Sequence, residues 1–386
     1  MQIIFPENVI KIIEILNKNG KTAYAVGGCT RDSIMGKKPN DWDITTSATP
    51  EQMLEIFESE NIRTIPTGLS HGTVSVLIDG VTYECTTYRI EGTYSDSRHP
   101  DFVSFTGDIR DDLSRRDFTV NAIAAHPNGE FIDVFGGIAD IESKMIRCVG
   151  KPRERFTEDA LRILRAIRFS ATLGFKIDKA TFDAAFITKK GLANVSIERK
   201  MTEIAKMIVT DGADDGIKNM FKLGLENYII KGLKKPKISL LSVPATFESR
   251  MAALLSECAN SVDFAALKLS KKQVLGIKTL LEKPIFDGEN DSEILARRVI
   301  RYYGDMAQEV CEFHGRVSLK FLVEKEISVG ACVKISDLKI NGTHLISQGV
   351  EKHKISSLLT SALELVIEQP EKNNEADLIE FIKTKI

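Results

Sequence analysis

Apolar and polar residues follow two different periods over the first third of the chain. A spacing of three to four residues over positions 7–18 predicts an opening helix that ends at Asn19-Gly20. Alternation at every second residue predicts strands at 72–78 and 81–88, and the Asp79-Gly80 pair between them indicates a hairpin. Further strands are predicted in TAYAVGG and WDITTSA, each followed by a short helix. This region is therefore predicted to be mixed α/β.

The pattern changes after about residue 140, where strand-like runs nearly vanish. Helical spacing dominates EDALRILRAIRFSATLGF, SIERKMTEIAKMIV and HKISSLLTSALELVIEQPEKN, and Pro370 should end the last of these helices. Pro236, Pro244, Pro284 and Gly288 indicate boundaries between helical modules. We expect an α/β head followed by an elongated all-α remainder.

Composition argues against several classes of protein. A chain of 386 residues is too long for one ordinary core and predicts two to four domains. It has no apolar run of roughly 20 residues for a membrane span, and MQIIFPENVIKIIEIL lacks the features of a signal peptide, so we expect a cytoplasmic location. The six cysteines occur singly without a CxxC pair, which predicts reduced, buried thiols rather than a zinc site.

The formal net charge of −2 does not suggest a nucleic-acid binder, but one segment differs from the average. Between Arg147 and Arg168 there are seven basic residues against three acidic ones. Such a stripe can contact phosphates even on an acidic protein. The alternative is a solvated helix face, which charge counting alone favours.

Asp41 and Asp43 stand two apart at the start of a predicted strand, so both side chains should point to one face. Two neighbouring carboxylates repel unless a cation lies between them, and hard oxygen ligands suit Mg²⁺. Gly27 and Gly28 open a predicted helix whose backbone N–H groups can hold an anion, and Arg31 adds a cation. Nucleotidyl transfer needs such a phosphate site beside a metal, although solvated loop acids usually explain an Asp-x-Asp pair alone.

Glu84 lies on the strand that follows the Asp79-Gly80 turn. If that strand neighbours the strand of Asp43, Glu84 becomes a third carboxylate that ligates the metal or takes the proton from an attacking hydroxyl. Otherwise Glu84 is an edge-strand residue that faces water. The sequence does not decide between these two interpretations.

Arg115 and Arg116 precede FTVNAIA at a predicted helix start, where the positive helix end disfavours cations. A bound polyphosphate would compensate, and Asn121, one turn later, could brace the site. The alternative is a surface salt bridge between Arg116 and one of two nearby acids, Asp111 or Asp112.

The stretch EDALRILRAIRF places Asp159 and Arg162 three residues apart on a predicted helix, where they are neighbours. They form either an ordinary salt bridge or a base reader. An Asp accepts from an exocyclic amine and an Arg donates to ring acceptors, a pattern that cytosine and adenine match and that uracil and guanine invert. Arg165 could reach the nucleotide phosphates, and Arg168 should contact RNA or a structural carboxylate.

Together these motifs resemble those of a known family. The chain is similar to class II tRNA nucleotidyltransferases, the CCA-adding enzymes of the DNA polymerase β-like nucleotidyltransferase superfamily. The resemblance rests on YAVGGCTRDSIMG with DWDI, IPTGLSHGTVSV, YECTTYRIEGTYSDSRHPDFVSF, DLSRRDFTVNAIA and EDALRILRAIRFSATLGF, in that order. It covers the first 175 residues closely and the last 60 loosely.

The resemblance implies a DNA polymerase β-like α/β head followed by an all-α neck, body and tail. The head would span 1–140, the neck with its base-reading helix 141–210, the helical body 211–300 and the helical, tRNA-binding tail 301–386. The residues implied at the nucleotide are Gly27, Gly28, Arg31, Arg116, Asp159, Arg162, Arg165 and Arg168. The implied catalytic residues are Asp41, Asp43 and Glu84, of which Asp41 and Asp43 would also bind Mg²⁺.

The activity implied by the resemblance is template-independent addition of C, C and A to the 3′ end of tRNA, from CTP and ATP, with release of pyrophosphate. IPTGLSHGT stands where related poly(A) polymerases usually carry a GRRFR-like run, which favours the tRNA enzyme. The segment from Arg89 to about Phe105 resembles the family's loop for switching from C to A addition, which argues against CC-only addition but leaves A-only addition open. A non-catalytic tRNA-binding protein is the remaining alternative. The family includes dimers, so the expected partners are tRNA, CTP, ATP and a second copy of the chain, with no membrane.

Overall fold

The computed structural model describes residues 3–92 and 103–386. By its internal contacts the chain divides into two compact units, Met1–Leu233 with Ala265–Lys268, and Lys234–Phe264 with Leu269–Ile386. The finer division into head, neck, body and tail stays a prediction. The loop proposed for the switch from C to A addition lies mostly outside the described residues.

All described strands belong to the first unit. In chain order they are β1 (Ala23–Val26), β2 (Asp43–Thr46), β3 (Arg63–Gly68), β4 (Thr73–Ile78), β5 (Val81–Thr87), β6 (Arg89–Glu91), β7 (Val103–Phe105), β8 (Ala124–Ala125), β9 (Phe131–Ile132), β10 (Met145–Ile146) and β11 (Lys176–Ile177). The last two are only two residues long, in agreement with the loss of strand pattern after about residue 140.

Helices account for most of the rest of the described chain. Those of the first unit are α1 (Glu7–Lys18), α2 (Gly28–Ile34), α3 (Pro50–Ser59), α4 (Ile109–Ser114), α5 (Gly137–Glu142), α6 (Pro152–Glu158), α7 (Leu161–Leu173), α8 (Lys179–Thr188), α9 (Ile197–Ile208), α10 (Ala213–Leu223) and α11 (Glu226–Ile229). Those of the second unit are α12 (Phe247–Leu255), α13 (Lys271–Leu281), α14 (Glu293–Tyr303), α15 (Ala307–Phe313), α16 (Val317–Ser328), α17 (Gly342–Ser347), α18 (Ile355–Glu368) and α19 (Glu375–Lys383). The predicted α/β head with an all-α remainder is confirmed.

A seven-stranded sheet in the order β3-β4-β5-β2-β1-β8-β9 organises the first unit. The predicted hairpin is β4–β5, and Asp79 and Gly80 at its turn have φ values of 50° and 75°, as a two-residue turn that follows the strand twist requires. The pair β2–β5 is parallel, whereas the other pairs in this sheet are antiparallel. Three elements, α3, β3 and β4, lie between β2 and β5 in the chain. The pairing of β2 with β5 therefore depends on how these elements fold together and not on a local turn.

Helices α1 and α3 share one apolar cluster with the sheet. Ile12 and Leu16 of α1 and Phe57 of α3 are fully buried in it, together with Ile44 of β2 and Cys85 of β5. Full burial of each large side chain contributes roughly 1.5–3 kcal/mol. The cluster therefore fixes which face of β2 and β5 is apolar, and it leaves the intervening side chains to the opposite face.

In the described part of the second unit, helices are the only regular secondary structure. A buried ion pair joins Arg297 of α14 to Glu326 of α16 at 2.6 Å, and Arg297 also donates to the carbonyl oxygen of Ile367 in α18 at 2.9 Å. Helix α18 ends at Glu368, two residues before Pro370, as predicted. No helix in the described part of the chain has the length and apolar character needed to cross a membrane.

The six cysteines are free thiols, and Cys332 alone among them is not fully buried. The prediction of free cysteines that pack as small apolar side chains is therefore confirmed for the five buried thiols.

Candidate active site

Two neighbouring strands place acidic side chains next to each other. Asp43 opens β2 and stands opposite Glu84 of β5 in the register of the parallel pair. Ile44 and Cys85, which follow them, point into the apolar cluster, so Asp43 and Glu84 project from the other face of the sheet. Strand β5 also pairs with β4, so the interpretation of Glu84 as an edge-strand residue is wrong.

Asp41 stands two residues before Asp43, just outside the start of β2. Trp42 and Ile44 both belong to the apolar cluster, whereas Asp41 and Asp43 are exposed, so the expectation that the two acids point to one face is confirmed. Asp43 experiences the charge of Asp41. Burial, followed by the negative charges of Asp41 and Glu84, raises the pKa of Asp43 to about 6, while Arg116 acts in the opposite direction. A bound cation would remove this repulsion.

The acids of this site fit a metal ion that needs few protein ligands. Among residues 3–92 and 103–386, no group of three or more His, Cys, Asp or Glu lies close enough together to hold one. Glu84 is therefore not gathered with the two aspartates into a preformed three-ligand site. The pair Asp41 and Asp43 offers only oxygen atoms and repels itself, which fits Mg²⁺, an ion that keeps several waters and commonly uses one or two carboxylates.

Gly27 brings Arg116 next to these acids. It has a φ of 86°, and a Cβ atom built on it would lie 3.2 Å from Nη1 of Arg116 and 4.0 Å from Oδ2 of Asp43. A side chain at this position would strain the backbone and crowd the guanidinium, so glycine is required for both reasons. Gly28 follows as the first residue of α2, which also carries Arg31.

Arg115 and Arg116 follow the end of α4, so the prediction that they begin a helix is wrong. Cations are favourable at the C-terminal end of a helix. Arg115 and Arg116 both pair with Asp112, at 2.7 Å and 3.2 Å. The alternative of a salt bridge to Asp112 is therefore correct. It is not a surface salt bridge, however, because the carboxylate of Asp112 is fully buried. Against the effect of burial, the charges of Arg116 and Arg115 lower the pKa of Asp112.

Nε of Arg116 is buried and has no hydrogen-bond partner in the described part of the chain. An unsatisfied buried donor costs about 1–3 kcal/mol, so the arrangement is expected where a ligand completes it. This donor, beside Gly27 and Asp43, is the feature that most directly indicates an anion at the site.

A chain of polar contacts connects the head to α7. Nη1 of Arg31 donates to Asn121 at 2.6 Å, and Nδ2 of Asn121 donates to Asp117 at 3.3 Å. Asp117 in turn accepts from Nε of Arg165 at 2.7 Å. Asn121 therefore braces Arg31, as the sequence suggested, whereas Arg165 is held by a carboxylate.

Arg168 donates to Glu203 of α9 at 2.5 Å, which agrees with the predicted structural carboxylate. Three guanidinium groups surround the ring of Phe169, with their carbon atoms 5.3 Å (Arg31), 5.3 Å (Arg165) and 4.0 Å (Arg168) from its centre. Each such contact contributes on the order of 0.5–1 kcal/mol or more when it is shielded from water. Phe169 thus holds cations of α2 and α7 together.

The two proposed base readers lie at a break between helices. Helix α6 ends at Glu158, Asp159 has an extended backbone, and α7 begins at Leu161. The prediction that Asp159 and Arg162 share one helix is therefore wrong. Oδ1 of Asp159 accepts from the backbone N–H of Leu161 at 3.0 Å, so this side chain helps to begin α7.

The alternative interpretation, an ordinary salt bridge between Asp159 and Arg162, is not found among the ion pairs of the described residues. Asp159 pairs with Arg199 of α9 at 2.7 Å, and Arg162 pairs with Glu158 at 2.6 Å. Nη2 of Arg162 also contacts the carbonyl oxygen of Arg115 at 3.4 Å, so the break lies next to the segment that carries Arg116. The structure thus places Arg162 against the segment of Arg115, and it holds Asp159 and Arg162 in separate ion pairs.

Comparison with known proteins identifies the family. Residues 23–147 match the Poly A polymerase head domain, and residues 174–235 match the Probable RNA and SrmB-binding site of polymerase A. A CCA-adding enzyme of Streptococcus suis is 33% identical over 98% of this chain and 96% of its own length. The chain belongs to the family of CCA-adding enzymes. It is a nucleotidyltransferase with a DNA polymerase β-like head, as predicted.

Two further relatives agree with this assignment. A CCA-adding enzyme of Bacillus velezensis is 42% identical, over 64% of this chain and 63% of the relative's length. The crystal structure of the Bacillus stearothermophilus CCA-adding enzyme in complex with CTP superposes with a TM-score of 0.80 at 28% identity and covers 99% of both chains.

Sequence reasoning did not find three residues that support the site in this family member: Arg199, Glu203 and Phe169. Arg199 and Glu203 lie four residues apart on α9, a spacing that indicated a helix but not which residues it faces. Phe169 belongs to the apolar pattern of α7 and gave no sign of its three cationic neighbours. No motif in the chain points to these contacts.

Proposed function

We propose that this chain adds C, C and A to the 3′ end of tRNA, with CTP and ATP as substrates and pyrophosphate as product. One observation supports this proposal above all: the acid pair of β2 and β5 lies beside Arg116, whose buried Nε has no hydrogen-bond partner among the described atoms. The chain that carries this site matches a CCA-adding enzyme over nearly its full length. Acids that repel each other and an arginine with an unsatisfied N–H donor in one place suit a metal-bound triphosphate.

In the proposed reaction the 3′ hydroxyl of tRNA attacks the α-phosphate of the nucleotide in line, and pyrophosphate leaves. Asp41 and Asp43 would hold Mg²⁺, which supplies charge neutralisation at the attacking and leaving oxygens. Arg116 donates to the triphosphate through its free N–H, and Asp112 holds its guanidinium in place. Arg31, braced by Asn121, adds a second cation. Glu84 is the candidate acceptor for the hydroxyl proton.

Base selection is assigned to Asp159 and Arg162. The carboxylate of Asp159 would accept from the exocyclic amine of cytosine or adenine, and Arg162 would donate to the ring acceptors. Uracil and guanine present a carbonyl and a ring N–H at these places, so they leave both side chains unsatisfied. The protein would thus choose the base without a nucleic-acid template. Gly28 contacts the triphosphate, while Arg165 and Arg168 act through their ion pairs.

The decisive experiment offers labelled CTP and ATP to the purified chain with tRNA substrates that end at the discriminator base, at C or at CC. Growth of the first substrate by three nucleotides supports the proposal. Growth of only the CC substrate indicates A-only addition, and long A tails on a generic RNA indicate a poly(A) polymerase.

Asp41→Ala is the catalytic control in this assay. We expect it to abolish incorporation and to leave tRNA binding largely intact. No transfer by the wild-type chain with Mg²⁺ present would support a non-catalytic tRNA-binding protein. We also propose a cytoplasmic location, and sedimentation of the purified chain tests for a homodimer.

A further inference from the structure

The two acids proposed to hold Mg²⁺ are fixed to the fold in different ways. Asp43 belongs to β2, which pairs with β1 on one side and with β5 on the other. Asp41 lies outside this ladder, and no hydrogen bond or ion pair of residues 38–42 is found within residues 3–92 and 103–386. Strand pairing therefore fixes Asp43, whereas the position of Asp41 depends on another contact.

The side chain between the two acids supplies that contact. Trp42 is 8% exposed and belongs to the apolar cluster that α1 and α3 share with the sheet. Its neighbours Asp41 and Asp43 are both exposed. The indole thus anchors a segment that has no hydrogen bonds of its own within the described chain. The direction of Asp41 therefore depends on how firmly this ring is packed.

A residue from a different part of the chain packs against the indole. Phe5 precedes α1, and its ring centre lies 5.2 Å from that of Trp42, with an angle of 42° between the two ring planes. Aromatic rings at such a separation attract each other beyond the effect of the area they bury. The carbonyl oxygen of Pro6 accepts from the N–H groups of Val9 and Ile10, at 3.0 Å and 3.1 Å, so the start of α1 is fixed directly after Phe5.

This contact opposes a repulsion within the site. Asp41 and Asp43 carry like charges, and the charge of Asp41 contributes to the raised pKa of Asp43. Without a cation between them, the repulsion favours conformations of residues 38–42 that move the two carboxylates apart. An aromatic anchor between the acids keeps both in place before the ion binds. Such preorganisation increases affinity, because less ordering remains to be done on binding.

We propose that Phe5 is a positioning residue for the metal site: it holds Trp42, and through it Asp41, in the arrangement that binds Mg²⁺. The proposal rests on the function proposed above, since it takes Asp41 and Asp43 as ligands of the ion. Phe5 lies outside the matched head domain, residues 23–147. Loss of its ring lowers the fraction of molecules with both acids in place, and the apparent affinity for the ion falls by that fraction.

Trp42 is the single tryptophan of the chain, so tryptophan fluorescence reports on this site alone. The test titrates the purified chain with Mn²⁺, a paramagnetic ion that quenches nearby indoles and accepts the same oxygen ligands as Mg²⁺. We expect a saturable loss of emission from the wild-type chain, and Asp41→Ala should abolish it. Phe5→Ala should raise the half-saturating Mn²⁺ concentration roughly two- to tenfold, the range that the loss of one aromatic pair allows.

Leu54→Ala is the matched control, because Leu54 of α3 is also a half-buried apolar residue packed against the same cluster. Its Tm is measured beside that of Phe5→Ala, and its half-saturating Mn²⁺ concentration should equal that of the wild type. Phe5→Tyr, which keeps the ring, should restore the wild-type value. An unchanged value in Phe5→Ala, an equal shift in Leu54→Ala, or quenching that persists in Asp41→Ala would overturn the proposal.

A second arm measures CTP incorporation across a Mg²⁺ series. In Phe5→Ala the half-saturating Mg²⁺ concentration should rise by the same factor as that of Mn²⁺, and the rate at saturating Mg²⁺ should fall by less. A lower rate at every Mg²⁺ concentration with an unchanged half-saturation would show a purely structural role, and the proposal would fail. Absence of incorporation by the wild-type chain would instead count against the proposed function. Because the Mn²⁺ titration needs no turnover, the two failures are distinguishable.

Discussion

The two halves of the candidate active site handle charge in opposite ways. On β2 and β5, Asp43 and Glu84 stand side by side, and burial, followed by the negative charges of Asp41 and Glu84, raises the pKa of Asp43. At the break between α6 and α7, Asp159 and Arg162 are each already paired, with Arg199 and Glu158. Among the described residues, Asp43 and Glu84 form no ion pair, and the charge of Arg116 offsets their repulsion only in part. At the helix break, by contrast, each charged residue has an ion-pair partner.

This difference teaches what each half requires from its ligand. The acids of the sheet gain most from a cation, so they should govern whether the reaction occurs. The residues of the break have their charges balanced and only have to match a base, so they should govern which nucleotide is used. Changes in the first half should therefore remove activity, and changes in the second should alter selectivity.

The strongest test of the contrast is Asp43→Asn. It keeps the shape of the side chain but removes a charge that its neighbours oppose. We expect incorporation to fall by more than about 100-fold, while Tm stays the same or rises because repulsion is relieved. Asp211→Asn, an exposed acid of the same unit, is the matched control. A normal rate for Asp43→Asn would refute the metal assignment.

The second test is Arg162→Ala at the helix break. A well-formed bidentate contact gives about 1–3 kcal/mol of discrimination, so the preference for CTP and ATP over UTP and GTP should fall roughly 10- to 100-fold. The ratios of kcat/KM for the four nucleotides measure this. Arg147→Ala, which removes a guanidinium paired with Asp140 and Asp178, should leave the ratios unchanged. Unaltered selectivity in the first variant would remove the base-reader role.

The third test addresses the connection between the halves. Asp117→Asn breaks the pair with Arg165 and leaves this half-buried arginine with only a longer contact to Glu203, at 3.9 Å. We expect a loss of about 2 kcal/mol in the free energy of unfolding, measured by urea denaturation, with selectivity altered less than in Arg162→Ala. An unchanged denaturation midpoint would show that the pair adds nothing to stability.

The smallest expected effect is a pH dependence. Although burial opposes it, the charge of Arg165 lowers the pKa of Asp117 below its ordinary value of 3.8. The unfolded chain then binds more protons than the folded chain near this pH. The stability from Asp117 is present above about pH 4 and is lost as pH falls through the lowered pKa. Unfolding free energies of wild type and Asp117→Asn should converge below pH 4, and parallel curves would contradict this account.

Local chemistry explains most of what the sequence predicted correctly. The Asp79-Gly80 turn, the end of α1 after Lys18 and the end of α18 before Pro370 depend on residues within a few positions of each other. Glu84 shows where local reasoning stops. Its place opposite Asp43 depends on the parallel pairing of two strands, across 41 residues of the chain. Local sequence patterns do not show which strands pair, so the role of Glu84 could be predicted only on the assumption that these two strands are neighbours.

The helix break shows a different failure. Every residue of EDALRILRAIRF tolerates a helix, so the periodic pattern was read as one continuous element. The structure ends α6 at Glu158 because Asp159 is turned to Arg199, 40 residues later in the chain, and to the N–H of Leu161. Tertiary contacts outweighed propensity, and no signal within the stretch could have revealed them.

The contacts from Arg31 through Asn121 and Asp117 to Arg165 have a practical consequence for protein engineering. The matched head domain ends at residue 147, so a chimera joined there would separate Asp117 from Arg165. One parent would then supply Asp117 and the other Arg165, and the two residues would come from proteins in which each had a different partner. A crossover placed after Ile208, at the end of α9, keeps the whole set in one parent. For exchange between relatives, the smallest transferable module is therefore larger than the catalytic head.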